Sequence, residues 1–203
     1  MIAIVDYGVG NMFSLKCSFM ALGADIVVSS DAELIRKADR IILPGVGAFS
    51  DAAAKLKKSG LGEVLKEEAE KGTYIMGICL GMQLLFDKSY EYGEHEGLGL
   101  IKGTVRPISD VISDDLKIPH MGWNQLEFKG RKHELFKYIN EGDCVYFVHS
   151  YYAADCDESV IATAQYGSAL TAAVARGNVS GCQFHPEKSG DVGLRILKAF
   201  CEM

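Results

Sequence analysis

The sequence predicts an α/β protein. It reads as a single three-layer, doubly wound domain over residues 1–203, built on a central mixed, mostly parallel sheet. Two observations carry that fold class. Through the first ninety residues, short β-branched runs alternate with helical periodicity, which implies parallel strands with helices packed on both sheet faces. From Tyr90 onward the helical signals give way to strand signals, which extend the sheet with antiparallel strands.

In order, Ile2–Val5 is the first strand, and Asn11–Leu22 is a helix stopped by Gly23. Asp25–Ser29 is the second strand, and Asp31 caps a helix running towards Ala38. Ile41–Leu43 forms a third strand that ends at Pro44. Asp51–Lys58 and Leu61–Lys71 read as helix in two pieces, broken at Gly60 and terminated at Gly72. Thr73–Ile78 is a buried strand, and Leu80, Leu84, Leu85 and Lys88 carry the spacing of the helix that follows. The second half offers strands at Ile101–Ile108, His120–Phe128, Val145–Ala153, Val160–Tyr166 and Ala169–Gln183. Polar connections span Ser109–Pro119 and Lys129–Asp143. Asp191–Cys201 closes the chain as a helix with Leu194, Leu197 and Phe200 on one face and Ser189 as its cap.

Charged residues at 24% and hydrophobic residues at 48% of 203 positions are ordinary for a globular domain. The net charge of -6 gives no general affinity for nucleic acid or an anionic membrane. Ile2–Val5 is too short, and too poor in preceding basic residues, for a signal peptide, and no apolar run could span a bilayer. Cys17, Cys79, Cys144, Cys156, Cys182 and Cys201 contain no Cys-x-x-Cys pair, which points to free thiols in a reducing, cytoplasmic setting.

Cys79 sits on the turn between a strand and a helix, flanked by Gly77 and Gly81. Gly-x-Cys-x-Gly is the thiol counterpart of the nucleophile elbow, in which a sharp turn lifts the side chain above the sheet and the glycines avoid clashes. The helix N-terminus also favours negative charge on the sulfur. A lone cysteine would read as an inert core residue; both glycines and the strand–helix switch favour the nucleophile.

Two glycine-rich turns fail as phosphate motifs. The third glycine of a dinucleotide fingerprint would fall on Phe13 after Gly8-Val9-Gly10 and on Ser50 after Gly45-Val46-Gly47, and neither turn supplies a P-loop Lys-Ser/Thr. The first is a plain turn; the second, beside the sheet's carboxyl edge, can offer backbone N–H groups to an oxyanion.

A thiol nucleophile needs a base and a group to orient it. His95 and His133 lie in polar loops, and His120 and His149 lie in strand-like stretches as structural histidines. His185 precedes Pro186 and is biased to extended backbone, so Glu187, two residues on, shares its face and can hold the imidazole. Cys182-x-x-His185 has half a zinc spacing. Residues three apart on a strand face opposite sides, however, and no second ligand pair appears, so no metal is expected.

Gly-x-Cys-x-Gly-x-Gln followed about a hundred residues later by His-Pro-Glu resembles the class I, triad-type glutamine amidotransferases, with a flavodoxin-like core. Pro44–Phe49, Pro119–Asn124, Tyr146–Tyr151 and Phe184–Gly190 are similar, within that family, to the glutaminase subunits of imidazole glycerol phosphate synthases. The resemblance implies a cofactor-free glutaminase with Cys79, His185 and Glu187 as triad. It places Gly47, Gln83, His149, Ser150 and Tyr151 on L-glutamine, and the backbone of Val46 and Leu80 in the oxyanion hole. It implies a heterodimer with a (β/α)₈ cyclase subunit, in which ammonia passes on towards imidazole glycerol phosphate and AICAR in histidine biosynthesis. Asn11, Trp123, Tyr146 and Lys188 would lie at that interface. The lone subunit would stay nearly silent until the liganded partner reorganises Gly45-Val46-Gly47. Lys88–Glu96 reads as a variable loop. The alternatives are a glutaminase serving another synthase, a cysteine hydrolase on the same elbow, and a catalytically inactive regulatory module.

Overall fold

The computed structural model describes residues 1–203. The first half alternates as β1 (Ile2–Val5), α1 (Met12–Ala21), β2 (Ile26–Ser29), α2 (Ala32–Arg36), β3 (Arg40–Leu43), α3 (Phe49–Lys58), α4 (Leu61–Lys71), β4 (Tyr74–Ile78) and α5 (Leu80–Gln83). Local chemistry sets these boundaries. The Asn11 and Asp31 side chains accept backbone N–H groups at the starts of α1 and α2, and Gly60 and Gly72 bound α4 in left-handed conformations.

The second half contributes β5 (Lys88–Ser89), β6 (His95–Glu96), β7 (Thr104–Pro107), β8 (His120–Gln125), β9 (Glu127–Phe128), β10 (Cys144–His149), β11 (Tyr151–Ala154), β12 (Val160–Tyr166), β13 (Ser168–Arg176), β14 (Val179–Cys182) and α6 (Gly190–Cys201). The main sheet has eight strands in the order β2-β1-β3-β4-β14-β13-β12-β9. Strands β2, β1, β3, β4 and β14 run parallel, and β13, β12 and β9 continue antiparallel. The parallel part has the strand order of a flavodoxin-like sheet.

Helices α2, α3 and α4 bury Ile35, Leu56 and Leu65 in a cluster of 25 residues. Helices α1 and α6 bury Phe19, Ile196 and Phe200 in a second cluster of 23. Cores of nearly equal size on the two faces explain why the central strands read as continuous apolar runs. No helix is long and apolar enough to cross a membrane.

Several sequence expectations need correction. The helix after Cys79 is one turn, because the chain leaves it to form β5, which pairs with β6 and β7 in a separate four-stranded sheet completed by β11. His120–Phe128 is split: β8 pairs with β10 in a small sheet of their own, whereas β9 joins the main sheet. Val145–Ala153 breaks at Ser150, and Ala169–Gln183 is a hairpin turning through Gly177, whose φ is 59°. The alternation of His120–Phe128 slips by one residue between Trp123 and Leu126, Val145–Val148 is a continuous apolar run, and Arg176-Gly177-Asn178 interrupts the third stretch; none of these signals says which strand the chain pairs with next. Lys129–Asp143 is more than a polar connection, since Leu135, Phe136 and Ile139 from it are buried in the second core. Ser189 does not cap α6 with its side chain.

Phe136→Ala is therefore expected to lower the unfolding free energy in urea by about 3–5 kcal/mol, the range for emptying a packed aromatic site. A loss below about 1 kcal/mol would show that this segment only rests on the surface.

Candidate active site

Cys79 follows β4 and opens α5 with φ 55° and ψ −113°, in the positive-φ region that L residues rarely adopt. Such strain costs on the order of 1–3 kcal/mol and persists only where packing over-determines it. The packing here is backbone against backbone. A Cβ on Gly77 would lie 2.6 Å from the Gly81 carbonyl oxygen, one on Gly45 would lie 2.6 Å from the Gly81 nitrogen, and one on Gly81 would overlap the Leu43 carbonyl oxygen. The three glycines let the ends of β3 and β4 close on the first turn of α5.

Strand β14 brings the second half of the site alongside. Gly181 pairs with Gly77 and Cys182 with Ile78, and the Cys79 N–H donates to the Cys182 carbonyl at 2.8 Å. The chain leaves β14 through Gln183 to His185, whose N–H donates to the Tyr146 carbonyl at 2.9 Å. The Ser189 hydroxyl donates to the His185 carbonyl at 2.7 Å and accepts the Tyr146 N–H at 2.9 Å, which ties this turn to β10.

His185 Nδ1 donates to Glu187 Oε1 at 2.8 Å, with both side chains almost fully buried. The residues meet as expected but for a different reason, because Glu187 sits in a 3₁₀ turn, Pro186–Lys188, rather than on an extended strand. Glu187 Oε2 has no partner, so His185 is the cation that compensates the carboxylate. Burial pushes the imidazole pKa down. Hydrogen bonds to Cys79 and Glu187, with the charges of both, outweigh burial and hold it up at about 9.

Cys79 and His185 face a cavity of about 580 Å³ that Val46, Gly47, Leu80, Gln83, His149, Ser150, Tyr151 and Lys188 also line. The geometry thus gathers the expected nucleophile, base, glutamine-binding and oxyanion positions around one cavity. Of the expected interface residues, Trp123 is 58% exposed and meets Tyr146 edge-on, with ring centroids 6.1 Å apart. The Lys188 ammonium lies 5.9 Å from the Tyr146 ring centroid. Asn11 stands apart from these three as the cap of α1.

Two residues escaped the sequence reading. Glu91, in the stretch read as variable loop, is buried, lines the cavity, and accepts the Phe49 N–H at the start of α3. Nothing in its surroundings signals that role. Gln183 is fully buried and donates from Nε2 to Cys79 Sγ at 3.7 Å. Two-residue alternation in the stretch that leads into His185 puts Gln183 on the same face as His185 and could have found it.

His120 and His149 form a buried pair. His149 Nδ1 meets the Tyr151 carbonyl at 2.8 Å, and a carbonyl only accepts, so Nδ1 carries the proton. His149 Nε2 then accepts from His120 Nδ1 at 2.9 Å, and Asn124 Nδ2 reaches His120 Nε2 at 3.3 Å. Burial lowers the pKa of His120 to about 4 and of His149 to about 3.

The family model for class-I glutamine amidotransferases matches residues 3–202. The imidazole glycerol phosphate synthase subunit HisH of Lactococcus lactis subsp. lactis is 52% identical over 202 residues, covering 99% of this chain and 98% of its own length. The subunit HisH of Oceanobacillus iheyensis is 48% identical over 204 residues, covering 100% and 99%. Among solved structures, a glutamine amidotransferase superposes with a TM-score of 0.76 at 20% identity, covering 100% of this chain and 98% of that one. PurLQS from Thermotoga maritima superposes with a TM-score of 0.75 at 22% identity, covering 99% and 97%. At those identities the structures share the fold.

Because His120 and His149 are neutral when folded and chargeable when unfolded, their burial contributes stability that is full above about pH 6.5. That stability falls away as the pH drops towards about 4. Unfolding free energies measured from pH 7 to pH 4 are expected to fall less steeply in His120→Gln than in the parent. Parallel curves would contradict the assignment.

Proposed function

The chain belongs to the class-I glutamine amidotransferases, and on that premise we infer that it is the glutaminase subunit of an imidazole glycerol phosphate synthase. It hydrolyses L-glutamine and passes ammonia to a (β/α)₈ cyclase subunit of histidine biosynthesis. The observation that carries the chemistry is the strained elbow of Cys79 beside the buried His185–Glu187 pair in one cavity.

In this reading the Cys79 sulfur attacks the carboxamide carbon, and the Val46 and Leu80 N–H groups receive the developing oxyanion. His185 protonates the leaving nitrogen, the C–N bond breaks, and ammonia departs from a γ-glutamyl thioester. His185 then takes a proton from water as its oxygen adds, and loss of the sulfur releases glutamate. Glu187 holds the tautomer and balances the imidazolium. Gln83 and the His149-Ser150-Tyr151 segment border the substrate, and the Glu91 carboxylate supplies the negative charge that suits its α-ammonium group.

The exposed Trp123, with Tyr146 and the cavity-lining Lys188, supports a cyclase-facing surface, to which the resemblance adds Asn11. We place residues 1–203 in one working unit. We also place the protein in the reducing cytoplasm, which suits a reactive thiol and six free cysteines.

Glutamate release should be low for this chain alone and rise strongly when a cyclase subunit and its nucleotide ligand are added. No release in either state would favour a regulatory module instead. Cys79→Ala should abolish glutamine-dependent synthesis by the complex and spare synthesis from added ammonia, whereas loss of both would mean a disrupted complex. Glu91→Gln should raise the KM for glutamine about tenfold or more with a smaller change in kcat, as expected for a lost charged contact in substrate binding. An unchanged KM would remove the ammonium contact.

A further inference from the structure

Gln83 and Gln183 are both buried and side by side, and their amides are oriented by a group that cannot be reversed. The Tyr151 carbonyl oxygen only accepts, and it lies 3.2 Å from Gln83 Nε2. The Gln83 amide nitrogen therefore points towards Tyr151 and also donates to Gln183 Oε1 at 3.0 Å. That fixes the Gln183 oxygen towards Gln83, so Gln183 Nε2 must be the atom that faces Cys79 Sγ at 3.7 Å. The direction of every bond in the chain follows from the first. The same carbonyl also accepts from His149 Nδ1, so both of its lone pairs are used.

We propose that Gln183 is a positioning residue whose side-chain amide, oriented by Gln83, fixes the Cys79 sulfur as a hydrogen-bond acceptor and directs its proton to His185. A sulfur that meets an N–H donor on one side cannot point its own hydrogen there. The thiol proton is left one outlet, His185. An anionic sulfur is stabilised by the same donor, since hydrogen bonds to charged groups are worth more than neutral ones. Both hydrogens of the Gln83 amide are committed, so its carbonyl oxygen is the part left for the cavity. A residue bordering the substrate is thereby mechanically joined to the nucleophile. The backbone supports the arrangement: the Gln183 N–H donates to the Ala172 carbonyl at 2.8 Å and continues the β13–β14 ladder, so the side chain has a fixed origin next to Cys79. The other titratable groups that act on Cys79 are His185 with Glu187 behind it, Tyr7 from the end of β1, and Cys182 on β14.

This role rests on Cys79 as the nucleophile, and one experiment separates the two. The intact chain is treated with iodoacetamide between pH 5 and 10, and the alkylation rate of each cysteine is followed by peptide mass spectrometry. In the parent, Cys79 should react fastest of the six cysteines. In Gln183→Leu the midpoint of its pH profile should move up by about one unit, a tenfold change in reactive fraction. In Gln183→Glu, which keeps the volume and the oxygen that faces Gln83 but replaces the donor by a negative charge, the midpoint should move further. That second variant decides the matter if the leucine variant does not fold. A fast Cys79 with the same midpoint in the variants would overturn the role of Gln183 and leave the nucleophile standing. No preference for Cys79 in the parent would overturn both.

Discussion

The site depends on one constraint, the positive-φ turn at Cys79. An L residue rarely holds φ 55° with ψ −113°, and Cys79 is held there because three chain segments approach too closely for any side chain but hydrogen. Gly45 brings the turn after β3 against the first turn of α5, Gly77 lets that turn fold back on β4, and Gly81 sits against the end of β3. The same contacts set Gly45 against Leu80 and Gly81, and Val46 and Gly47 line one cavity with Cys79. The elbow at Cys79 and the turn after β3 therefore come from one packing solution at the carboxyl edge of the parallel strands, where open α/β sheets place their ligands.

Around that turn the electrostatics run in one direction. The buried Glu187 carboxylate has His185 as its sole hydrogen-bonding partner, and hydrogen bonds to Cys79 and Glu187, with the charges of both, hold the imidazole pKa up at about 9 despite its burial. On the other side of the cavity the environment does the opposite, holding His120 and His149 neutral. Three histidines of one chain thus occupy two protonation states at neutral pH. The difference arises because one has anionic partners and the other two have each other and a carbonyl. The Tyr151 carbonyl joins the two regions, accepting from His149 and from Gln83.

Much of this was legible in the chain. The elbow could be read because glycines two residues either side of a cysteine, at a strand–helix switch, have few other uses. The α/β class could be read because alternation of period persists over ninety residues. The strand partners of the second half could not. In His120–Phe128 the apolar alternation only slips by one residue, from Met121 and Trp123 to Leu126 and Phe128, and Val145–Val148 is a continuous apolar run, so neither pattern says which sheet the chain enters after the break. Glu91 was hidden in an acidic loop, where nothing local distinguishes a buried carboxylate from a solvated one. Trp123 is 58% exposed, and exposure is a property of the fold rather than of its neighbours in sequence.

The most direct test of the account is covalent trapping. A glutamine analogue bearing an electrophile in place of the carboxamide would be incubated with the intact protein and the adduct located by mass spectrometry. The account predicts one adduct, on Cys79, suppressed by excess glutamine and lost in His185→Asn. Labelling spread over the exposed Cys17 and Cys144, or an adduct on Cys79 that glutamine does not suppress, would contradict it.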